Sequence, residues 1–192
     1  ANPKTDTPIN LGKKVMVVGG GNTAMDSVRT AKRLGAEVTL VYRRSDAELP
    51  ARAEEVKHAK EEGITFMTLH NPVQYIGDEK GAVKQAVLAV MELGEPDESG
   101  RRSPVDTGKR VTIDVDQVVV AVGVSPNPLV PKSIEGLELG RKNTIAVSDT
   151  MQSSRPSIYA GGDIVRGGAT VILAMGDGRR AAANMHAQLS GK

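Results

Sequence analysis

Gly19-Gly20-Gly21-Asn22-Thr23-Ala24 follows directly on the apolar run Val15-Met16-Val17-Val18 and fits the spacing G-x-G-x-x-A, with Gly19, Gly21 and Ala24 at the small-residue positions. Each small residue has its own physical task. Gly19 permits a tight turn out of a strand, Gly21 lets backbone N–H groups approach a pyrophosphate, and Ala24 lets the following helix pack close to a sheet. Gly20 belongs to the same turn, and Asn22 and Thr23 bring side-chain donors to it. A helix that starts here presents unpaired N–H groups and a partial positive charge, which suits an anion. The spacing alone is weak evidence and fits a purely structural glycine turn as well. Its context is stronger: a β-rich run precedes it, apolar residues Ala24, Val28, Ala31 and Leu34 recur at helical spacing up to Gly35, and a second β-branched run, Val38 to Tyr42, follows. That order is a βαβ unit for a dinucleotide.

At the end of the second run, an NAD site usually carries an acid for the ribose 2′-hydroxyl; here stand Tyr42-Arg43-Arg44. A guanidinium offers a fork of donors matched to phosphate oxygens, so Arg43 and Arg44 favour the 2′-phosphorylated cofactor NADP(H), unless both are merely solvated; Arg52 is a further candidate. Ala121-Val122-Gly123 ends another apolar strand, and Gly123 would let a nicotinamide lie against the backbone, although a plain strand terminator reads the same way. Gly161-Gly162-Asp163 follows a short strand, and Ala169-Thr170-Val171 opens a helix; a carboxylate there can accept from sugar-like hydroxyls while the helix start faces negative charge. By composition alone Asp163 is an ordinary turn or capping residue.

The remaining chemistry is narrowed by what the chain lacks. It has no cysteine, so disulfides, thiolate metal sites and iron–sulfur ligation are not built from its own residues. His58, His70 and His186 are scattered, without metal-ligand spacing or a nucleophile nearby, and read as structural or surface residues. No catalytic acid or base is identifiable, which leaves redox work to an organic cofactor and weighs against a dehydrogenase acting on a small substrate. With 25 Lys+Arg against 23 Asp+Glu, the net charge of +2 suggests neither nucleic acid nor an anionic membrane as partner. No apolar run is long enough to span a bilayer and the start is polar, so a soluble cytoplasmic protein is expected.

The elements that must hold these residues read as an α/β chain. A helix over 51–62 and a strand over 64–69 continue the βα alternation, then strands at 73–76, 82–91 and 110–114 form an antiparallel meander. The polar stretch 94–109 reads as a mobile hairpin tip. Residues 117–122 read as a central strand buried on both faces, 128–143 as a connector, 144–147 and 157–160 as short strands, and 169–189 as a terminal helix. On that helix Met175 and Met185 are expected in a core or an interface, and Arg179 and Arg180 on a solvated face.

The strings VVGGGNTAMDSVRTAKRLGAEVTLVYRR, AVGVSPN and YAGGDIVRGGATVILAMGDGRRAA, in that order, resemble the small (β) subunit of NADPH-dependent glutamate synthase and related flavoprotein subunits. The resemblance covers nearly the whole chain. It implies a Rossmann-like NAD(P)-binding domain over 1–127 and the C-terminal segment of an FAD-binding domain over 128–192. It also implies hydride transfer from NADPH to FAD, electron transfer through iron–sulfur clusters of the parent enzyme, and a large glutamate synthase subunit or other electron-accepting subunit as partner. Carried over, Gly19, Gly21, Asn22, Thr23 and Ala24 hold the NADPH pyrophosphate, Arg43 and Arg44 the 2′-phosphate, and Gly123 the nicotinamide half. Gly162 and Asp163 meet the FAD ribityl or phosphate region, and Ala169, Thr170 and Val171 set a helix start at the flavin. The family's cluster cysteines and first FAD-binding glycine turn are missing, so a fragment that binds NADPH but retains FAD weakly or not at all is expected. A free-standing NADP(H) sensor is the alternative reading.

Overall fold

The computed structural model describes residues 10–98 and 100–191. They fall into two compact units that divide between Gly123 and Val124, whereas the sequence reading puts the boundary after Asn127.

The first unit is α/β and begins with β1 (Lys14–Val18), α1 (Asn22–Arg33) and β2 (Glu37–Tyr42). It continues through α2 (Ala53–Glu61), β3 (Thr65–Thr68), β4 (His70–Gly77), β5 (Val83–Pro96), β6 (Arg102–Asp114) and β7 (Gln117–Val120). A parallel sheet runs β3-β2-β1-β7, and an antiparallel sheet runs β4-β5-β6. The pleat explains why β1 is apolar at every position after Lys14. Val15 and Val17 face a helical layer with Val38, Leu40 and the Ala24, Met25, Val28 and Ala31 stripe of α1. Met16 and Val18 face the other way, onto Val41, Val115 and the Ala86 and Leu88 side chains of the antiparallel sheet. Burial on both faces removes the polar alternation of a half-exposed strand. Helix α1 stops where Gly35 takes φ +99, and Lys32 and Arg33 in its last turn complement the dipole.

Two expectations for this unit are corrected. Residues 117–120 are an edge strand, paired only with β1 among the described residues, and Val120 is 62 % exposed. Nor is the run buried on both faces: Val119 and Val118 are each only half-buried, against opposite clusters, and Val122 is exposed; an apolar run carries no information about the strand's edges. The stretch 94–109 is not a loose tip, although Ser99 lies outside the described residues. Leu93 pairs with Pro104 and Pro96 with Arg102, extending β5 and β6 as a two-stranded ribbon. Backbone pairing needs no apolar side chains, and Arg102 reinforces it by donating to the carbonyls of Leu93 and Gly94, both at 2.9 Å.

The second unit holds α3 (Leu129–Ser133), α4 (Asp163–Arg166) and α5 (Val171–Leu189). The strands expected at 144–147 and 157–160 are only isolated bridges, Leu139 with Ile145, Val147 with Ser153 and Gln152 with Tyr159. Segments this short, interrupted by turns such as that at Met151 (φ +65), cannot propagate a ladder. Met175 and Met185 are exposed within this unit rather than in its core. Among the described residues no helix is long and apolar enough to cross a membrane.

Candidate functional site

The glycine turn lies at the C-terminal end of β1, where Gly19 N–H donates to Val41 O at 3.0 Å and Ala121 N–H donates to Val18 O at 2.7 Å. The three glycines are needed for different reasons. Gly19 has φ +137, and a Cβ there would drive into the Ala121 carbonyl. Gly20 has ordinary dihedral freedom, but a Cβ would stand 2.7 Å from the Tyr42 ring and 2.9 Å from Leu49. Gly21, at φ −87, is the N-cap of α1, and nothing lies within 4 Å of where its Cβ would be. Its backbone therefore faces open space. Gly21 O accepts from Ala24 and Met25 N–H, so the orphan donors of the first turn, at Asn22 and Thr23, are aimed past the glycine with no acidic residue in that turn. Ala24 is fully buried beneath them.

The loop after β2 is laid on this turn. Ala51 N–H donates to Gly20 O at 3.1 Å, and the Asn22 side-chain oxygen accepts from Arg52 N–H at 3.0 Å. Arg43 and Arg52 are exposed, and neither guanidinium has a hydrogen-bond or ion-pair partner among the described residues. Arg44 differs from both. Its Nη2 reaches Glu48 Oε1 at 2.7 Å, its Nε donates to Arg102 O at 3.0 Å, and its side chain is only 12 % exposed. The other oxygen of Glu48 accepts from Ser45 N–H and Oγ–H, each at 3.1 Å. Burial alone would push the Glu48 carboxyl up; the two Ser45 hydrogen bonds and the charges of Arg44 and Arg102 outweigh it and hold the group below the usual glutamate range. Glu48 is absent from the sequence-derived site, yet Ser45-Asp46-Ala47-Glu48 carries a legible capping-box spacing. Gly123, at φ +91, ends the segment after β7 with open space around its Cβ position.

In the second unit Gly162 takes φ +75 and Asp163 starts α4, with its Oδ1 accepting from Ala169 N–H at 3.3 Å. Thr170 caps α5 by accepting from Leu173 N–H at 3.4 Å, and Val171 and Ile172 in the first turn are exposed. Asp163, Ile164 and Gly168 line a hollow of about 230 Å³ with Val124 to Asn127. The residue that organises this region, Asp177, escaped the sequence reading. It is fully buried and accepts from Arg166 through Nε and Nη2 at 2.6 Å each, from Arg180 Nη2 at 2.7 Å and from Gly162 N–H at 3.0 Å. Those contacts, Arg166 first, hold its carboxyl far below the usual aspartate range. Arg179 and Arg180 are both exposed, as expected of a solvated face, and Arg180 in addition pairs with Asp177. Asp177 gives no motif signal because its partners are set by the turn of a helix and a distant loop.

His58 and His186 are exposed, and His70 Nδ1 lies 2.7 Å from Thr68 O. No cluster of His, Asp or Glu among the described residues could hold a metal ion.

Residues 2–178 match the family described as pyridine nucleotide-disulphide oxidoreductase. The chain belongs to that family. Within it, the chain is 46 % identical over 178 residues to the "NADP(+)-dependent formate dehydrogenase subunit beta" of Moorella thermoacetica, covering 91 % of this chain and 25 % of that protein. It is 39 % identical over 177 residues to the "Glutamate synthase [NADPH] small chain" of Escherichia coli strain K12, covering 89 % of this chain and 38 % of that one. This member thus spans roughly a quarter to two-fifths of the length of these relatives. The fold of the pyridine nucleotide-disulphide oxidoreductases is also seen in solved structures: T. acidophilum thioredoxin reductase superposes with a TM-score of 0.74 at 24 % identity, covering 92 % of this chain and 52 % of that one. Mycobacterium tuberculosis FprA in complex with NADPH gives 0.71 at 20 % identity, covering 94 % and 54 %.

Proposed function

We propose that this oxidoreductase domain binds NADP(H) on the Gly19–Ala24 turn and serves as the electron-entry part of a flavoprotein, with Gly123 against the nicotinamide half. The observation that carries the reading is the open backbone at Gly21, with the unpaired start of α1 behind it and the free guanidinium of Arg43 on the adjoining loop. The N–H groups bind and orient the pyrophosphate, and the arginine pair after β2 sets the preference for a 2′-phosphate. In the second unit, residues 128–192 are read as the trailing part of an FAD domain. Gly162 and Asp163 would meet the ribityl or phosphate region and the Ala169-Thr170-Val171 helix start the flavin. The two cofactors, when bound, would supply the hydride transfer between nicotinamide and flavin, chemistry that amino-acid side chains do not provide, and the residues named above would hold and orient them. The names of the relatives support glutamate synthesis or another NADP(H)-linked redox reaction in the parent enzyme, with a partner subunit.

Calorimetric titration tests the nucleotide claim. NADPH should bind more tightly than NADH, and the Arg43→Ala/Arg44→Ala variant should lose more than about tenfold in NADPH affinity, since a charge-assisted hydrogen bond contributes ~1.5 kcal/mol. Equal affinities for the two nucleotides would sink it. Purified alone, the chain should be colourless because the residues present build only one side of a flavin site. A yellow protein with stoichiometric flavin absorbance would overturn that part of the reading and leave the nucleotide claim standing.

A further inference from the structure

The loop after β2 contains an acid where the proposed NADP(H) preference should not tolerate one. Glu48 directly precedes Leu49, whose side chain packs against Gly20, and its backbone carbonyl accepts from the Tyr42 hydroxyl at 2.9 Å. It therefore lies beside the dinucleotide turn, on the segment that follows the strand where NAD sites keep their ribose-binding acid. A free carboxylate here would repel a 2′-phosphate and could accept from a 2′-hydroxyl.

It is not free. One carboxylate oxygen is taken by Arg44 at 2.7 Å and the other by the Ser45 N–H and Oγ–H, with the side chain 18 % exposed. Arg44 in turn is anchored on the β5–β6 ribbon through Arg102 O, whereas Arg43 and Arg52 stand exposed with their guanidinium groups unengaged among the described residues. Resting on the reading of this site as an NADP(H) site, we propose that Arg44 is a positioning residue that acts on nucleotide preference through Glu48: it neutralises and holds the acid, and Arg43 with Arg52 reads the 2′-phosphate. The ribbon, by fixing Arg44 from outside, becomes part of the specificity apparatus although it carries no ligand-binding group. A direct ligand role for Arg44 would require its fork to leave both Glu48 and Arg102 O.

The two roles separate in a double-mutant cycle on the full chain, with adenosine 2′,5′-bisphosphate and 5′-AMP as calorimetric probes that differ only in the 2′-phosphate. Arg44→Met should weaken the bisphosphate about tenfold, the scale of one charge-assisted interaction, while 5′-AMP binds unchanged or more tightly. Adding Glu48→Gln should restore the bisphosphate to within about threefold of the parent chain, because the repelling charge is gone. Arg43→Ala should weaken it similarly, and Glu48→Gln should not rescue that loss. A double variant as weak as Arg44→Met alone makes Arg44 a direct ligand and overturns the proposal. If Arg44→Met melts well below the parent, Arg44→Lys keeps the charge but cannot span Glu48 and Arg102 O together. On the proposal it loses less of the preference than Arg43→Lys does; the reverse order overturns it. A parent chain that binds the two probes equally removes the NADP(H) reading and this inference with it, whereas a normal preference without rescue removes the inference alone.

Discussion

Alanine in place of Gly19 is expected to abolish nucleotide binding and to lower the melting temperature, whereas alanine in place of Gly21 should abolish binding while leaving stability nearly unchanged. The two glycines are neighbours in one turn but face opposite demands. At Gly19, φ is +137, a region that costs a side-chain-bearing residue ~1–3 kcal/mol. The added Cβ also meets the Ala121 carbonyl, a backbone atom that cannot rotate aside, so relief requires β1 and the β7 end to separate where Ala121 N–H bonds Val18 O. A fall of roughly 5 °C or more follows for a chain of this size. At Gly21, φ is −87 and the Cβ direction is empty, so the folded protein accepts alanine, and the methyl instead fills the space through which a pyrophosphate would reach the α1 N–H groups. Affinity for NADPH should drop on the order of a hundredfold in both variants, about twice the free energy of a single charge-assisted contact. Thermal melts and calorimetry on the pair decide the matter. A Gly21→Ala chain that still binds NADPH like the parent would remove the pyrophosphate from this turn.

The second large effect is expected at Asp177. Its carboxylate is fully buried, with Arg166 clamped across both oxygens, and it holds Gly162 N–H and Arg180 as well. Gly161 is packed so closely that a Cβ there would come 2.7 Å from the Asp177 Cβ. Asp177→Ala leaves Arg166 without its fork partner and the Gly162 N–H without an acceptor, so the melting temperature should fall by on the order of 10 °C. Asp177→Asn, which keeps the volume but not the charge, should fall less. The pH dependence has a definite sign. A carboxyl whose folded pKa is depressed contributes stability that is fully present above its unfolded value, near pH ~4, and is lost as pH falls further toward the folded value. The parent chain should therefore lose stability steeply below about pH 4, and the difference between parent and Asp177→Asn should shrink over the same range. Parallel acid melting curves for the two proteins would show that Asp177 does not carry this charge-dependent contribution.

The sequence by itself determined the βαβ unit, the position of the glycine turn and the family, because these rest on local signals: the spacing of Gly19, Gly21 and Ala24, the helical recurrence of Ala24, Val28 and Ala31, and the β-branched run at Val38. It also located Arg43 just past the end of β2 and Asp163 at the start of α4. What only the tertiary structure decided are partnerships between residues far apart in the chain. Arg44 and Glu48 are four positions apart, but that Arg44 is also held by the carbonyl of Arg102, while Arg43 has no partner among the described residues, depends on a ribbon folding back from more than fifty positions away. That Asp177 anchors Gly162 depends on one buried carboxylate meeting a loop and two partly exposed arginines. The edge position of β7 likewise could not be read from its valines, since hydropathy reports which faces are covered and hydrogen-bond partners are chosen by topology. Periodicity encodes the elements; the sharing of hydrogen bonds between them belongs to the assembled fold.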